Sequence, residues 1–244
     1  MGTSNRPHSR TIDVSAATML LCCGISLAGC HDYPRETHTA ILEAGGAAIL
    51  DGKSLYFLPL GDYDPFDDFY GRIVRDIEEF PVDPSAQSPI DFTEGDPFVL
   101  VLPAGVSVRY YGTSYTRLYV GGDGVVGFGE PGGGNRDLVP HFSIPQISLL
   151  PVDASDDAPG SATYGVYDDS VVITFDNVDE SSVQLELFIG GEMRDDLSIA
   201  YPVVSPGVAA GVVGLSNGQL RDDSDFLYYF VNSDLTSSNT GYLE

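Results

Sequence analysis

Two neighbouring segments of this chain alternate apolar and polar side chains with a period of two, which restricts them to β-strands with one buried face. In residues 171–177 (VVITFDN), Val171, Ile173 and Phe175 share one side, and Val172, Thr174 and Asp176 the other. In residues 183–189, Val183, Leu185, Leu187 and Ile189 fall together while Gln184 and Glu186 point away. Asp179, Glu180 and Ser181 between them suit a turn, so the pair is expected to form a hairpin.

The same short-strand grammar recurs along the chain. Further strands are expected at 55–58, 98–102, 106–111, 117–120, 125–128, 161–167, 197–203, 211–215 and 226–231, with Gly, Pro, Asn and Asp between them. Only residues 72–80 suit a short helix, with Ile73, Ile77 and Phe80 near one face. The predicted class is therefore all-β: an antiparallel β-sandwich with many short strands and at most one short helix. A hydrophobic content of 43% excludes wholesale disorder. Residues 81–89, with three prolines, mark either an internal boundary or a loop within one domain.

Charge removes whole classes of partner. The formal net charge is −25, and Lys53 is the only lysine. Such a surface repels phosphate backbones and anionic head groups, so nucleic acid is not expected as a partner.

The N-terminus carries a different signal. Arg6 and Arg10 precede a weakly polar apolar stretch at 14–26, followed by Leu27, Ala28, Gly29 and Cys30. The stretch is too short and too interrupted to span a bilayer, which takes about 20 apolar residues. Leu27-Ala28-Gly29-Cys30 resembles the lipobox of bacterial lipoproteins. That resemblance implies cleavage before Cys30, a lipid on the Cys30 thiol, and attachment to a membrane of the cell envelope. His31, rather than Asp, follows the cysteine, and in lipoproteins this implies outward sorting to the outer membrane or cell surface. Cleavage removes two basic side chains (Arg6, Arg10) and one acidic (Asp13), moving the net charge from −25 to −26. Cys22 and Cys23 leave with the signal peptide, so a mature chain has no thiol for disulfides or thiolate metal sites.

The middle of the chain has a recognisable order of motifs. Residues 110–120 (YYGTSYTRLYV) lead into Gly122-Asp123-Gly124 and 125–129 (VVGFG). Pro145-Gln146-Ile147-Ser148, 171–178 (VVITFDNV), 184–187 (QLEL) before Gly190-Gly191, and 211–218 (GVVGLSNG) follow. Together these resemble nidogen-like extracellular domains. The resemblance implies an adhesion or matrix-interaction module without catalysis, meeting an extracellular glycan or protein, and supplies no binding residues. Asp123 stands where the family has Asn, Val108 and Arg109 where it has Phe-Pro, and 150–154 lacks its Asp-Leu pair. The expected organisation is a signal peptide (1–29), a lipid-anchored tether (30–48), a lead-in β segment (49–88), the nidogen-like sandwich (89–235) and a C-terminal tail (236–244).

Candidate chemistry is sparse. His141 is the one histidine in the body of the chain, and beside Pro140 and Phe142 it reads as a packed or hydrogen-bonded loop residue. No Gly-x-Ser-x-Gly elbow supports a serine nucleophile. Acids group at Asp62, Asp64, Asp67 and Asp68, at Asp153, Asp156 and Asp157, and at Asp222, Asp223 and Asp225. Calcium takes about six to eight oxygens, and the Asp62–68 group is the leading candidate for it, although solvated loops account for the acids equally well. Tyr110, Tyr111, Tyr115 and Tyr119, with Tyr228, Tyr229 and Phe230, read as rim packing ahead of a recognition patch. The function expected is a non-catalytic, lipid-anchored binding or adhesion module. The alternatives are a carboxylate-dependent hydrolase of envelope polysaccharide and a purely structural envelope component.

Overall fold

The computed structural model describes residues 39–42, 46–59, 70–92, 96–134, 138–150, 161–190 and 195–218, all within the compact unit Arg35–Glu244. Alternation governs what forms. Val171, Ile173 and Phe175 are buried on one face of their strand, and Val183, Leu185 and Leu187 on the matching face of the next. The turn between them is a two-residue connection in which Asp179 (φ 49°) and Glu180 (φ 59°) both take positive φ, the hand that matches strand twist.

Two antiparallel sheets carry the fold. The six-stranded sheet runs in the order β1 (Thr39–Leu42), β15 (Gly211–Asn217), β10 (Pro145–Ser148), β9 (Val125–Phe128), β8 (Arg117–Val120) and β5 (Phe98–Val101). The seven-stranded sheet runs β3 (Tyr70–Asp76), β2 (Lys53–Pro59), β14 (Leu197–Val203), β13 (Ser181–Phe188), β12 (Ser170–Val178), β11 (Ser161–Val166) and β4 (Ser88–Pro89). A small hairpin, β6 (Val108–Tyr110) with β7 (Thr113–Tyr115), stands beside them. Every pairing is antiparallel, and the all-β sandwich architecture is as expected.

One core joins the inner faces. Leu100, Leu118, Val126, Phe128, Ile147, Val213 and Leu215 come from the first sheet; Leu55, Phe57, Ile173, Phe175, Leu185, Ile199 and Tyr201 come from the second. Tyr201 Oη donates to the Leu149 carbonyl at 3.1 Å, a polar link across an otherwise apolar layer. Tyr110 stacks on Phe128 with ring centroids 4.0 Å apart, donates to the Gln146 carbonyl at 2.9 Å and accepts from the Ser216 amide at 3.1 Å.

Several expectations are corrected. Residues 72–80 are not helical: 70–76 form β3, because Ile73 and Val74 prefer an extended backbone and pair with Tyr56 and Leu55 of β2. The one α-helix among the described residues is α1 (Leu138–Ser143), which carries Pro140 in its first turn, where proline is tolerated. Part of the expected tether belongs to the body: β1 pairs with β15, and a 3-10 turn at Gly46–Leu50 buries Ala47 and Leu50. The lead-in segment is likewise integral, since β2 pairs with β14 across most of the chain length. The expected strand at 226–231 lies outside the described residues. No helix among the described residues is long and apolar enough to cross a membrane.

Candidate functional site

The register of the seven-stranded sheet gathers polar groups on the face opposite the core. Cross-strand pairing places Val172, Glu186, Ser198, Tyr56 and Ile73 in one row, and Thr163, Thr174, Gln184, Ala200, Ser54 and Arg75 in the next. The second row is covered. Gln184 accepts from the Val82 amide (2.9 Å) and donates to the Val82 carbonyl (2.7 Å) and Thr174 (2.9 Å). Gln87 accepts from Thr163 (2.8 Å) and Thr174 (3.0 Å), so residues 82–90 form a strap that ends in β4 on the sheet edge. The proline-rich segment is thus packed structure within this unit.

The first row is more open. Tyr56 donates to Asp196 at 2.6 Å, packs edge-on against Phe188 with centroids 5.9 Å apart, and lies beneath the Arg75 guanidinium, 5.6 Å from its ring centre. Burial raises the Asp196 carboxyl above the ordinary carboxylate range, opposed by the bond from Tyr56. Burial also raises Glu186, opposed by Ser170 and reinforced by the charge of Asp169. Arg109 pairs with Asp195 at 3.1 Å and ties the β6–β7 hairpin to the turn before β14. Asp195 itself holds φ at 77°. Glu186 lies on β13, and Asp196 immediately precedes the adjacent strand β14.

A second polar group lies on the outer face of the six-stranded sheet. His141 is fully buried; its Nδ1 lies 2.8 Å from Ser148 Oγ and 3.2 Å from Gln146 Nε2. Gln146 also accepts from the Gly133 amide (2.7 Å) and donates to the Gly134 carbonyl (3.2 Å), pinning the glycine-rich turn. Desolvation lowers the His141 pKa to about 3, against a weaker opposing bond with the Leu215 backbone. The imidazole is therefore neutral at neutral pH and closed to solvent, which suits it to structure and not to proton transfer with a ligand. His141 is hydrogen-bonded as the sequence indicates, but from a helix and not a loop.

A third feature is an edge strand without a second neighbour among the described residues. β5 ends the six-stranded sheet, and Val99 and Val101 expose 44% and 61% of their surface. The Leu102 amide bonds the Thr116 carbonyl on the β8 side, so by two-residue alternation the backbone groups of Val99 and Val101 face away from β8. Tyr119 and Arg117 stand opposite them on β8.

The residues nominated from sequence divide as follows. Cys30, the Asp62, Asp64, Asp67 and Asp68 group, both other acid groups, and the 228–230 aromatics lie outside the described residues. Among the described residues no group of three or more His, Cys, Asp or Glu could hold a metal ion. Tyr110 and Tyr111 are buried, and Tyr115 packs on Phe128, so this aromatic run is core and rim. Sequence reasoning missed Tyr56, Arg75 and Asp196 as a group. The outward phase of Glu186 was legible, but its neighbours depend on register between strands far apart in the chain. The opening of Val99 and Val101 had no local signal, because alternation does not say which strand ends a sheet.

No family model, curated protein or solved structure matches this chain.

Proposed function

We propose that this is a lipid-anchored cell-envelope protein, held by Cys30 on the outer membrane or cell surface, whose β-sandwich is a non-catalytic adhesion or ligand-binding module for an extracellular glycan or protein. The observation that carries the binding reading is the edge strand β5, where Val99 and Val101 are exposed and, among the described residues, no strand pairs with its outer side. The lipobox resemblance supports the anchor and the nidogen-like motif order supports adhesion. A strongly acidic surface favours neutral or cationic ligands and, through Asp62, Asp64, Asp67 and Asp68, a role for calcium.

Two measurements test this. The mature protein should carry a lipid mass on Cys30, and Cys30→Ala should release it from the membrane fraction; an unlipidated, released wild type would refute the anchor. The full chain in detergent micelles should bind members of a glycan and matrix-protein array, with calcium and with chelator, leaving each ligand chemically unchanged.

A second reading, the carboxylate-dependent hydrolase, is favoured by the raised carboxyls of Glu186 on β13 and Asp196 just before the adjacent β14. It requires that an array ligand be cleaved, and that Glu186→Gln or Asp196→Asn remove nearly all turnover.

A further inference from the structure

Among the described residues no strand pairs with the outer side of β5. Its outward backbone groups come from Val99 and Val101, whose side chains lie exposed on the outer face of the sheet. Pro97 and Pro103 flank β5 (Phe98–Val101), and Asp96, beyond Pro97, is itself in a β-bridge. Four residues of edge bury far less than the roughly 1,200 Å² that a stable protein–protein interface needs. A second copy of a chain with net charge −25 is also repelled by the first. Both facts favour a short extended segment over self-pairing.

Charge along the strip sets the direction. Arg117 is exposed opposite Val101, and Asp96 is exposed at the other end, before Phe98. An added strand running antiparallel, like every pairing in this sheet, passes Val101 first and reaches the Asp96 end last. Its cations therefore belong on the C-terminal side of its apolar residues.

We propose that β5 accepts an extended cationic peptide segment by antiparallel β-augmentation: two apolar residues two positions apart pack beside Val99 and Val101, and lysine or arginine follows on the C-terminal side at the Asp96 end. This deepens the binding-module reading and rests on it. Backbone hydrogen bonds to Val99 and Val101 hold the segment, the valines select apolar side chains, and the acidic end of the strip selects charge.

The probe is the fluorescein-labelled peptide Thr-Val-Ser-Val-Thr-Lys-Lys, titrated against the full chain in detergent micelles by fluorescence anisotropy. Saturable binding is expected, weakened when Glu-Glu replaces Lys-Lys. Val101→Pro leaves the β5–β8 pairing intact, because the lost N–H points away from β8, yet removes one edge donor; it should weaken binding about tenfold, roughly one hydrogen bond's worth. Val101→Asp, an exposed substitution, is the second variant and should abolish the apolar contact. Circular dichroism and urea midpoints confirm that both variants fold. No binding by the Lys-Lys peptide, equal binding of the Glu-Glu peptide, or indifference to both variants overturns the inference. A concentration-dependent dimer in sedimentation that Val101→Pro dissolves overturns it in favour of self-pairing. If the array yields a ligand while the peptide does not bind, the edge inference falls alone; if neither binds, the binding-module reading falls with it.

Discussion

His141 shows how burial converts a titratable side chain into a structural one. With Nδ1 held by Ser148 and Gln146, and a backbone bond with Leu215, the ring is kept neutral by desolvation, at a pKa of about 3 against 6.5 for the free group. Above 6.5 the ring is neutral folded and unfolded, so it adds no pH dependence. Below that the unfolded chain takes up a proton that the folded chain refuses, and stability falls by about 1.4 kcal/mol per pH unit until the folded group titrates. Glu186 and Asp196 have the opposite sign: raised when folded, they favour the folded state at low pH, and that contribution is lost as pH rises through their folded values. The difference between wild type and His141→Gln isolates the histidine. In urea unfolding at pH 7.0 and about 4.5, the variant should lose markedly less stability on acidification; identical losses would contradict this account. Gly127 makes a steric counterpart. A Cβ there would meet the Glu130 carbonyl and the Gly132 amide, so Gly127→Ala should displace the glycine turn and cost about 1–3 kcal/mol in the urea midpoint analysis.

The β6–β7 hairpin is held by its own turn and by what it inserts. Tyr111 (φ 44°) and Gly112 (φ 75°) form its two-residue turn, in which the bulky Tyr111 takes a conformation that disfavours L side chains. Tyr110 compensates by stacking on Phe128 and bonding both the Gln146 carbonyl and the Ser216 amide. Tyr110→Phe keeps the stack and leaves the buried Ser216 amide without its partner, so it should cost about 1–3 kcal/mol, with hydrogen exchange quickened first at Ser216. Unchanged protection there would show that the hydroxyl is dispensable. Several elements were legible: β8, β9 and β14 span the residues expected. β3 was not, because Ile73, Ile77 and Phe80 suit a helical face as well as a strand that only β2 can recruit. β1 was not either, since Thr39–Leu42 has no alternation and gains strand geometry only from pairing with β15.

Taken as one body, the chain is dominated by like charge. A net charge of −25 stores self-repulsion that salt screens, so moderate sodium chloride should raise the melting temperature in calorimetry, where a chain limited by its core alone would respond little. Composition and local period were enough for the class of fold, the inward face of most strands and the acidic charge, because each can be read without knowing which distant residues meet. Partnership between strands is different in kind. The Ser54 and Ser198 hydroxyls lie 3.2 Å apart though 144 positions separate them in sequence number, and nothing near either residue announces the other. The grouping of Tyr56, Arg75, Glu186 and Asp196, the covering of Gln184 by the strap, and the opening of Val99 and Val101 all follow from such pairings. Which strands meet, and which strand is left at the edge, was settled by packing two sheets around one core, since only that packing decides which backbone groups find a protein partner and which face water.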